Sequence, residues 1–234
     1  MAKKNKSTAS HGNDLLENPD ALAEQLSRTE EFVEKNKNGV MVVAGVFVVA
    51  ILAYVFYNYY VTEQNKNAQR DLFQAVYYFE ADSLGRALNG DGNNFGFLEI
   101  IDEYGVTKAA NLANFYAGAT YLKLGDFESA ITYLNNFSSS DYLIQGRAYA
   151  LLGDAYMGIK DYSTAVSFYE KAAKYKPNKQ FSPTYLIKAA TANEKLNKIE
   201  SAIANYQTIL SDYYGATEYM DAKKHKARLE GLIN

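Results

Sequence analysis

The sequence contains no cysteine, no tryptophan, three prolines and two histidines among its 234 residues. Without cysteine the chain can form no disulfide, no thiolate metal site and no thiol nucleophile, and it can carry no lipid on an N-terminal cysteine. The histidines, His11 and His225, have no second histidine at ligand spacing, which argues against a histidine-based metal site or catalytic triad. A Gly-rich phosphate loop and a nucleophile elbow are also missing. We therefore expect no enzymatic activity and no cofactor.

The charge balance is close to neutral, with 24 basic and 27 acidic side chains and a net charge of −3. A nucleic-acid partner is not expected, because binding phosphates requires a basic face. Abundant residues include 21 tyrosines and 12 phenylalanines, and 48% of the chain is hydrophobic. This composition is typical of a helical protein that buries aromatic rings.

One apolar run dominates the N-terminal third of the chain. Residues 40–57 read VMVVAGVFVVAILAYVFY and contain no charged side chain. The extended segment 39–61, as a helix rising about 1.5 Å per residue, is long enough to cross about 30 Å of hydrocarbon. Four tyrosines crowd its C-terminal end as an interfacial aromatic belt would, namely Tyr54, Tyr57, Tyr59 and Tyr60. The sequence predicts a single transmembrane helix, and membrane lipid is therefore one of the expected partners.

The tail at residues 1–38 is polar, and its first 20 residues are predicted to be disordered. A short amphipathic helix follows, with one apolar face formed by Leu22, Leu26, Phe32 and Val33. Two interpretations of this helix remain open: a solvated juxtamembrane helix, or a helix that docks on a membrane partner. A small excess of basic residues near the membrane on this side favours a cytoplasmic tail.

The rest of the chain repeats. Ala130, Ala165 and Ala202 occupy matching positions in three similar segments, 35 and 37 residues apart. A period near 34 residues with helix–turn–helix content is the signature of tetratricopeptide repeats. The middle copy resembles this pattern at every signature position: Tyr149, Leu152, Gly153, Tyr156, Ala165, Tyr169, Ala172 and Pro177. We expect the small residues to lie where two helices press together, the larger ones to fill the gaps, and Pro177 to end the second helix.

These patterns predict an all-α fold in which a single N-terminal transmembrane helix is followed by a tetratricopeptide-repeat α-solenoid. A linking helix and loop are expected at 62–93, repeats at 94–215, and a C-terminal capping helix at 216–234. Within the repeats, the predicted units are a degenerate one at about 94–104 and three others at 111–138, 146–179 and 183–214. The capping helix carries Lys223, Lys224, Lys226 and Arg228, which either solvate the end of the array or bind a partner or anionic lipid.

The first helices of the repeats should together form a concave face that binds protein segments. The residues expected on this face are Leu112, Phe115, Ala119, Leu122, Arg147, Ala150, Asp154, Met157, Thr184, Ile187, Thr191 and Glu194. The Lys and Asn set that clamps a C-terminal carboxylate in some repeat proteins is missing, since Phe115 and Ala150 occupy equivalent positions. A broad, partly apolar groove for extended or helical segments is therefore expected. The alternative is that several of these side chains pack within the array.

The order of a short tail containing LSRTEEFVEKNKN, one anchor, a long helix and degenerate repeats resembles the YfgM-type ancillary subunits of the bacterial SecYEG translocon. The resemblance covers residues 21–234. It implies a single-pass inner-membrane protein with a cytoplasmic N-terminus and a periplasmic repeat domain. It also implies partners: the SecYEG channel, a membrane-anchored periplasmic chaperone of the peptidyl-prolyl isomerase type, and nascent polypeptides.

Other functions fit the same architecture. A scaffold for assembly of another cell-envelope complex needs the same anchor and groove. A receptor with the opposite topology, holding its repeats in the cytosol, is a further alternative.

Overall fold

The computed structural model describes residues 19–233, and this part of the chain contains helices and no strand. The predicted disordered segment lies almost entirely outside the described residues. The helices are α1 (Pro19–Lys35), α2 (Lys37–Glu80), α3 (Leu84–Asn89), α4 (Phe97–Glu103), α5 (Lys108–Leu124), α6 (Phe127–Asn136), α7 (Tyr142–Gly158), α8 (Tyr162–Lys174), α9 (Ser182–Lys195), α10 (Ile199–Asp212) and α11 (Tyr219–Ile233). The predicted all-α class, with one long apolar helix near the N-terminus, is confirmed.

The chain divides into two compact units, and the first comprises residues 1–59. Its described part contains α1 and the beginning of α2. Every side chain from 41 to 60 is exposed to the surroundings of the protein, and the most apolar 18-residue stretch of α2 has a mean hydropathy of 2.7. A helix that is apolar on all sides and unburied is suited to lipid. By length and composition, α2 can span a membrane.

The apolar face of α1 has no partner within the described chain. Leu22, Leu26, Phe32 and Val33 are all exposed, with Phe32 reaching 63%. The opposite side carries acidic residues, one of which, Glu24, pairs with Arg28 at 2.7 Å. Whether this helix docks on a membrane partner stays a prediction.

The second unit, residues 60–234, begins inside α2. Ala68, Leu72 and Ala75 of α2 are buried in one apolar cluster with Phe97 and Ile100 of α4. The hydroxyl of Tyr104 donates to Asp71 of α2 at 2.7 Å. The segment expected to act as a linking helix therefore forms, together with α4, the first helical hairpin of the array. The continuous helical pattern of 62–88 did not reveal this packing.

The next hairpins, α5–α6 and α7–α8, each close on a glycine. A Cβ at Gly118 would lie 2.6 Å from Cγ of Leu134, and a Cβ at Gly153 would lie 2.5 Å from two ring carbons of Tyr169. In both hairpins the large residue comes sixteen positions after the glycine. The α9–α10 hairpin has Ala190 and Tyr206 at the same spacing, and both are fully buried in one cluster. Helices can approach this closely only where one side chain is very small.

The signature residues of the middle repeat lie where packing requires them. Leu152, Ala165, Tyr169 and Ala172 are at most 3% exposed. Two half-buried tyrosines complete the interface: Tyr156 stacks on Phe168 with ring centroids 5.4 Å apart, and Tyr149 meets Tyr175 edge-on.

The end of α8 differs from the expectation for Pro177. The helix ends at Lys174, three residues before the proline, and Lys176 adopts a left-handed φ of 46°. Pro177 therefore follows a turn that is already complete, although it still prevents the helix from continuing.

Aspartates start three of these helices. Asp126 accepts the amide of Ser129, Asp161 accepts that of Thr164, and Asp141 accepts those of Leu143 and Ile144. Each carboxylate satisfies amides that have no partner inside the helix and complements the positive end of the helix dipole.

The closure of the α7–α8 hairpin predicts a large effect from one methyl group. Gly153→Ala should cost about 1–3 kcal/mol, because the ring of Tyr169 is buried and its hydroxyl is hydrogen-bonded, so the ring cannot move away. Thermal unfolding of the full-length protein in detergent, followed by circular dichroism, measures the loss. Gly231→Ala is the control, since a Cβ there would meet no packed neighbour within 4 Å apart from its own helix backbone and adjoining residues. Equal melting temperatures for the two variants would contradict the packing described here.

Candidate protein-binding groove

A groove of about 1280 Å³ runs along the second unit. It is lined by the end of α2, by α5, by the connection at 137–141, by α7, and by the beginning of α9 with Phe181 before it. These are mainly the first helices of successive hairpins, as expected for the concave side of a repeat array.

The floor of the groove is formed by aromatic rings that contact one another and are nearly buried. Phe115 of α5 contacts Phe137 with ring centroids 5.3 Å apart and meets Tyr116 edge-on at 5.5 Å. Phe115 is 6% exposed and Phe137 is 5% exposed. Both rings also belong to an apolar cluster with Leu134 and Leu152. The floor is therefore part of the core, and its shape exists before any ligand binds.

Apolar side chains stand out from the sides of the groove. Leu143 is 43% exposed and Phe181 is 38% exposed, and both line it. Exposed apolar groups around a preformed cavity are typical of surfaces that bind a partner.

The polar connection along the groove is held in place by hydrogen bonds. Asn111 donates to the carbonyl of Ser138 at 2.9 Å and accepts its amide at 3.2 Å. The amide of Ser139 donates to Gln145 at 2.6 Å, and Lys176 donates to the carbonyl of Ser140 at 3.0 Å. The rim is thus ordered by three different elements of the array.

Most of the residues predicted for the concave face line this groove. They are Leu112, Phe115, Ala119, Leu122, Arg147, Ala150, Asp154 and Thr184. That they bind a partner stays a prediction. Phe115 and Ala150, which are 6% and 4% exposed, contribute mainly to packing, in line with the alternative that some of these side chains belong to the array.

The structure places four predicted residues elsewhere. Met157 and Ile187 pack against apolar clusters beside the groove. Thr191 donates to the carbonyl of Ile187 at 3.0 Å. Glu194 forms an ion pair with Arg228 of α11. The third hairpin thus contributes to the groove mainly through the first half of α9, because α11 and α10 engage the second half.

Several groove residues were not predicted. The sequence pattern places Phe79 and Glu80 in the linking helix and gives no sign that the connection at 137–141 lines the groove. Phe181 and Tyr185 lie one helical turn apart at the start of α9. Phe181, Tyr185 and Lys188 are spaced four and three residues apart, so helical periodicity could have placed them on one face of α9. The contribution of the connection at 137–141 could not be found without the fold.

Asp154 connects three helices. Its carboxylate accepts the hydroxyl of Tyr169 of α8 at 2.7 Å and the ammonium of Lys188 of α9 at 2.7 Å from both oxygens. Burial, followed by the charge of Asp154, raises the pKa of Tyr169. This bridge joins the middle hairpin to the next one, so the predicted binding residue Asp154 is already occupied within the array.

A similar bridge occurs one hairpin later. Glu194 of α9 accepts the hydroxyl of Tyr206 of α10 at 3.2 Å and the guanidinium of Arg228 of α11 at 2.5 Å. Burial, followed by the charge of Glu194, raises the pKa of Tyr206 to about 12. The predicted outward basic cluster of the capping helix therefore includes one residue, Arg228, that fastens α11 to the array.

Comparison with protein families supports the repeat assignment. Residues 146–179 match the family described as tetratricopeptide repeat, and residues 30–142 match the family described as tetratricopeptide repeat-like domain. No curated protein matches the chain significantly. The chain therefore contains tetratricopeptide-type repeats, which generally serve as non-enzymatic scaffolds for protein–protein interaction, and neither match indicates an enzyme family.

The bridge at Tyr206 predicts an alkaline loss of stability. An ordinary tyrosine has a pKa of about 10, so the folded state holds the Tyr206 proton more tightly than the unfolded state does. Its contribution is complete below about pH 10 and is lost as pH rises through about 12. Tyr206→Phe should therefore lose less stability than the wild type between pH 9 and pH 12, measured by urea unfolding. Tyr214→Phe, at a residue that is 78% exposed, should follow the wild type. Parallel curves for all three proteins would show that this hydroxyl is not buried against Glu194.

Proposed function

We propose that the protein is a non-enzymatic, single-pass membrane scaffold that binds other polypeptides in the groove of its second unit. The observation that carries this proposal is a preformed apolar groove on a tetratricopeptide-type array whose chain also contains a membrane-length apolar helix. The groove volume of about 1280 Å³ exceeds the range of about 300–1,000 Å³ that is usual for small-molecule sites. Its apolar floor and polar rim are the composition of a protein interface.

Our more specific proposal is an ancillary subunit of the Sec translocon in the bacterial inner membrane, with the N-terminus cytoplasmic and the repeats periplasmic. Its partners would be the SecYEG channel, a membrane-anchored periplasmic peptidyl-prolyl isomerase-type chaperone, and polypeptides that emerge from the channel. Support comes from the order of tail, anchor and repeats. Anchoring in the same membrane as the channel would raise the effective concentration of the groove near its partners.

The test is site-specific crosslinking of the full-length protein in its native membrane. A photo-reactive amino acid at Leu143 should crosslink to the partner, because this side chain is 43% exposed and lines the groove. The same probe at Leu124 is the control, since this residue is 52% exposed and does not line the groove. Mass spectrometry of the products from Leu143 should identify channel subunits or the isomerase-type chaperone.

Charge in the groove should remove the interaction. Replacing both Leu143 and Phe181 by Glu should lower recovery of the partner in mild detergent by at least about tenfold, because carboxylates would then face apolar surface. Leu124→Glu should leave recovery unchanged. Equal crosslinking from 124 and 143 would contradict binding in the groove. Products from a different envelope complex would overturn the translocon assignment while leaving the anchored scaffold intact.

A further inference from the structure

The charges that line the groove are unequally engaged within the described chain. Four basic and three acidic side chains line it. Lys188 is paired with Asp154 at 2.7 Å, and Lys123 is paired with Asp82, outside the groove, at 2.9 Å. The carboxylate of Asp141 accepts two amides at the start of α7. The charged side chains that already have partners therefore contribute little to the attraction of a ligand. The charged side chains without partners decide which ligand the groove attracts.

Arg147 is the free cation in the middle of the groove. It lies on α7 between Ile144 and Leu151, one turn away on either side along the same helix face, and both of these residues line the groove. Arg147 is exposed, and among residues 19–233 no carboxylate pairs with its guanidinium. Lys108, at the start of α5, is likewise unpaired within the described chain, whereas Glu80, at the end of α2, is the free acid that also lines the groove.

A second free donor lies beside α7, since a Cβ at Gly146, the residue before Arg147, would lie 3.9 Å from Cε2 of Tyr185. Tyr185 of α9 is half-buried and lines the groove, and its hydroxyl has no hydrogen-bond partner among the described residues. Burial raises the pKa of Tyr185, and the positive charge of Arg147 opposes this rise. A guanidinium and a hydroxyl that both lack acceptors are suited to one carboxylate.

Covering the groove would remove water from Arg147. A desolvated cation without a partner is costly, so an occupant that fills the apolar floor must also bring an acceptor to this position. We propose that the groove binds an apolar polypeptide segment carrying an internal Asp or Glu, whose carboxylate pairs with Arg147. This inference rests on the proposed function and names the chemistry of the partner.

The position of Arg147 favours an internal side chain over a chain end. The groove continues on both sides of α7, with Phe115 and Phe137 on the α5 side and Phe181 on the α9 side. A segment that covers both sides must pass Arg147 rather than stop at it. A basic side chain at the position of Arg147 would place like charges together and would be disfavoured there.

Phage display tests the chemistry directly. Random 12-residue peptides, displayed without a free C-terminus, would be selected on the full-length protein in lipid nanodiscs. Wild-type protein should enrich apolar sequences that contain Asp or Glu. Arg147→Glu should enrich apolar sequences that contain Lys or Arg instead. The protein with Glu at both 143 and 181 should no longer enrich the apolar, acidic sequences that the wild type selects.

Matched synthetic peptides give the magnitude. One enriched peptide with an amidated C-terminus should bind wild-type protein about tenfold more tightly than the same peptide with Asn or Gln in place of its acid. The ratio should fall to about one on Arg147→Gln and recover in part on Arg147→Lys. Arg86→Gln is the matched control, because Arg86 is exposed and does not line the groove. Since Arg147 is exposed and unpaired in the described chain, its variants should keep the wild-type melting temperature.

The outcomes separate the two proposals. Groove-dependent enrichment of apolar peptides without an acidic preference, or an acid-to-amide ratio of one on the wild type, would overturn the role of Arg147 and leave the proposed function standing. Selection of the same peptides by the protein with Glu at 143 and 181 would overturn both proposals, as would failure of the wild-type protein to enrich any peptide. Occupation of the groove by phospholipid, detected by native mass spectrometry and not displaced by the selected peptide, would also overturn the inference.

Discussion

The repeat array depends on one steric constraint: in each hairpin a small residue of the first helix must oppose a large residue of the second. Gly118 opposes Leu134, and Gly153 opposes Tyr169 at distances that leave no room for a methyl group. This contact sets how closely the two helices approach and therefore where their remaining side chains can reach. The hydroxyl of Tyr169 is brought to Asp154 by this approach, and Asp154 in turn reaches Lys188 of the next hairpin. Closure within one hairpin and connection to the next are thus linked through a single tyrosine.

The groove follows from a difference between neighbouring hairpins. Ala119 and Leu134 of the α5–α6 hairpin occupy the positions that Asp154 and Tyr169 occupy in the α7–α8 hairpin, directly after the glycine and sixteen residues beyond it. Ala119 and Leu134 cannot form the polar bridge that Asp154 and Tyr169 form. Aromatic rings from α5 and from the connection after α6 cover this surface instead. The α5 side of the groove therefore has an apolar floor, with Lys108 at the start of the helix, whereas the α7 and α9 side carries a neutralised ion pair and an arginine that is unpaired within the described chain. A partner that satisfies both sides must combine apolar and acidic side chains.

The sequence predicted most of the repeat fold because its signals are local. The spacing of Ala130, Ala165 and Ala202 and the signature of the middle copy depend on contacts within one hairpin, which recur at a fixed interval along the chain. The membrane-length helix was predictable for a similar reason, since an uninterrupted apolar run needs no partner to be recognised. The helical pattern of residues 62–88 did not allow a similar prediction of where this segment packs. A continuous helical pattern does not show where solvent or lipid ends and packing begins, so the role of Ala68, Leu72 and Ala75 in the first hairpin was missed.

The sequence by itself determined the helical class, the repeat register, the glycine at the closest approach, and eight of the first-helix residues that line the groove. Only the tertiary structure decided which of these residues are available to a partner. In the sequence, nothing distinguishes Asp154 and Glu194 from free carboxylates. In the structure, Asp154 binds a tyrosine fifteen residues later and Glu194 binds one twelve residues later, and each also pairs with a cation 34 residues later. Arg147 remains free because no carboxylate of the described chain reaches it. Availability depends on distances between helices that are far apart in sequence, and no periodicity along the chain records those distances.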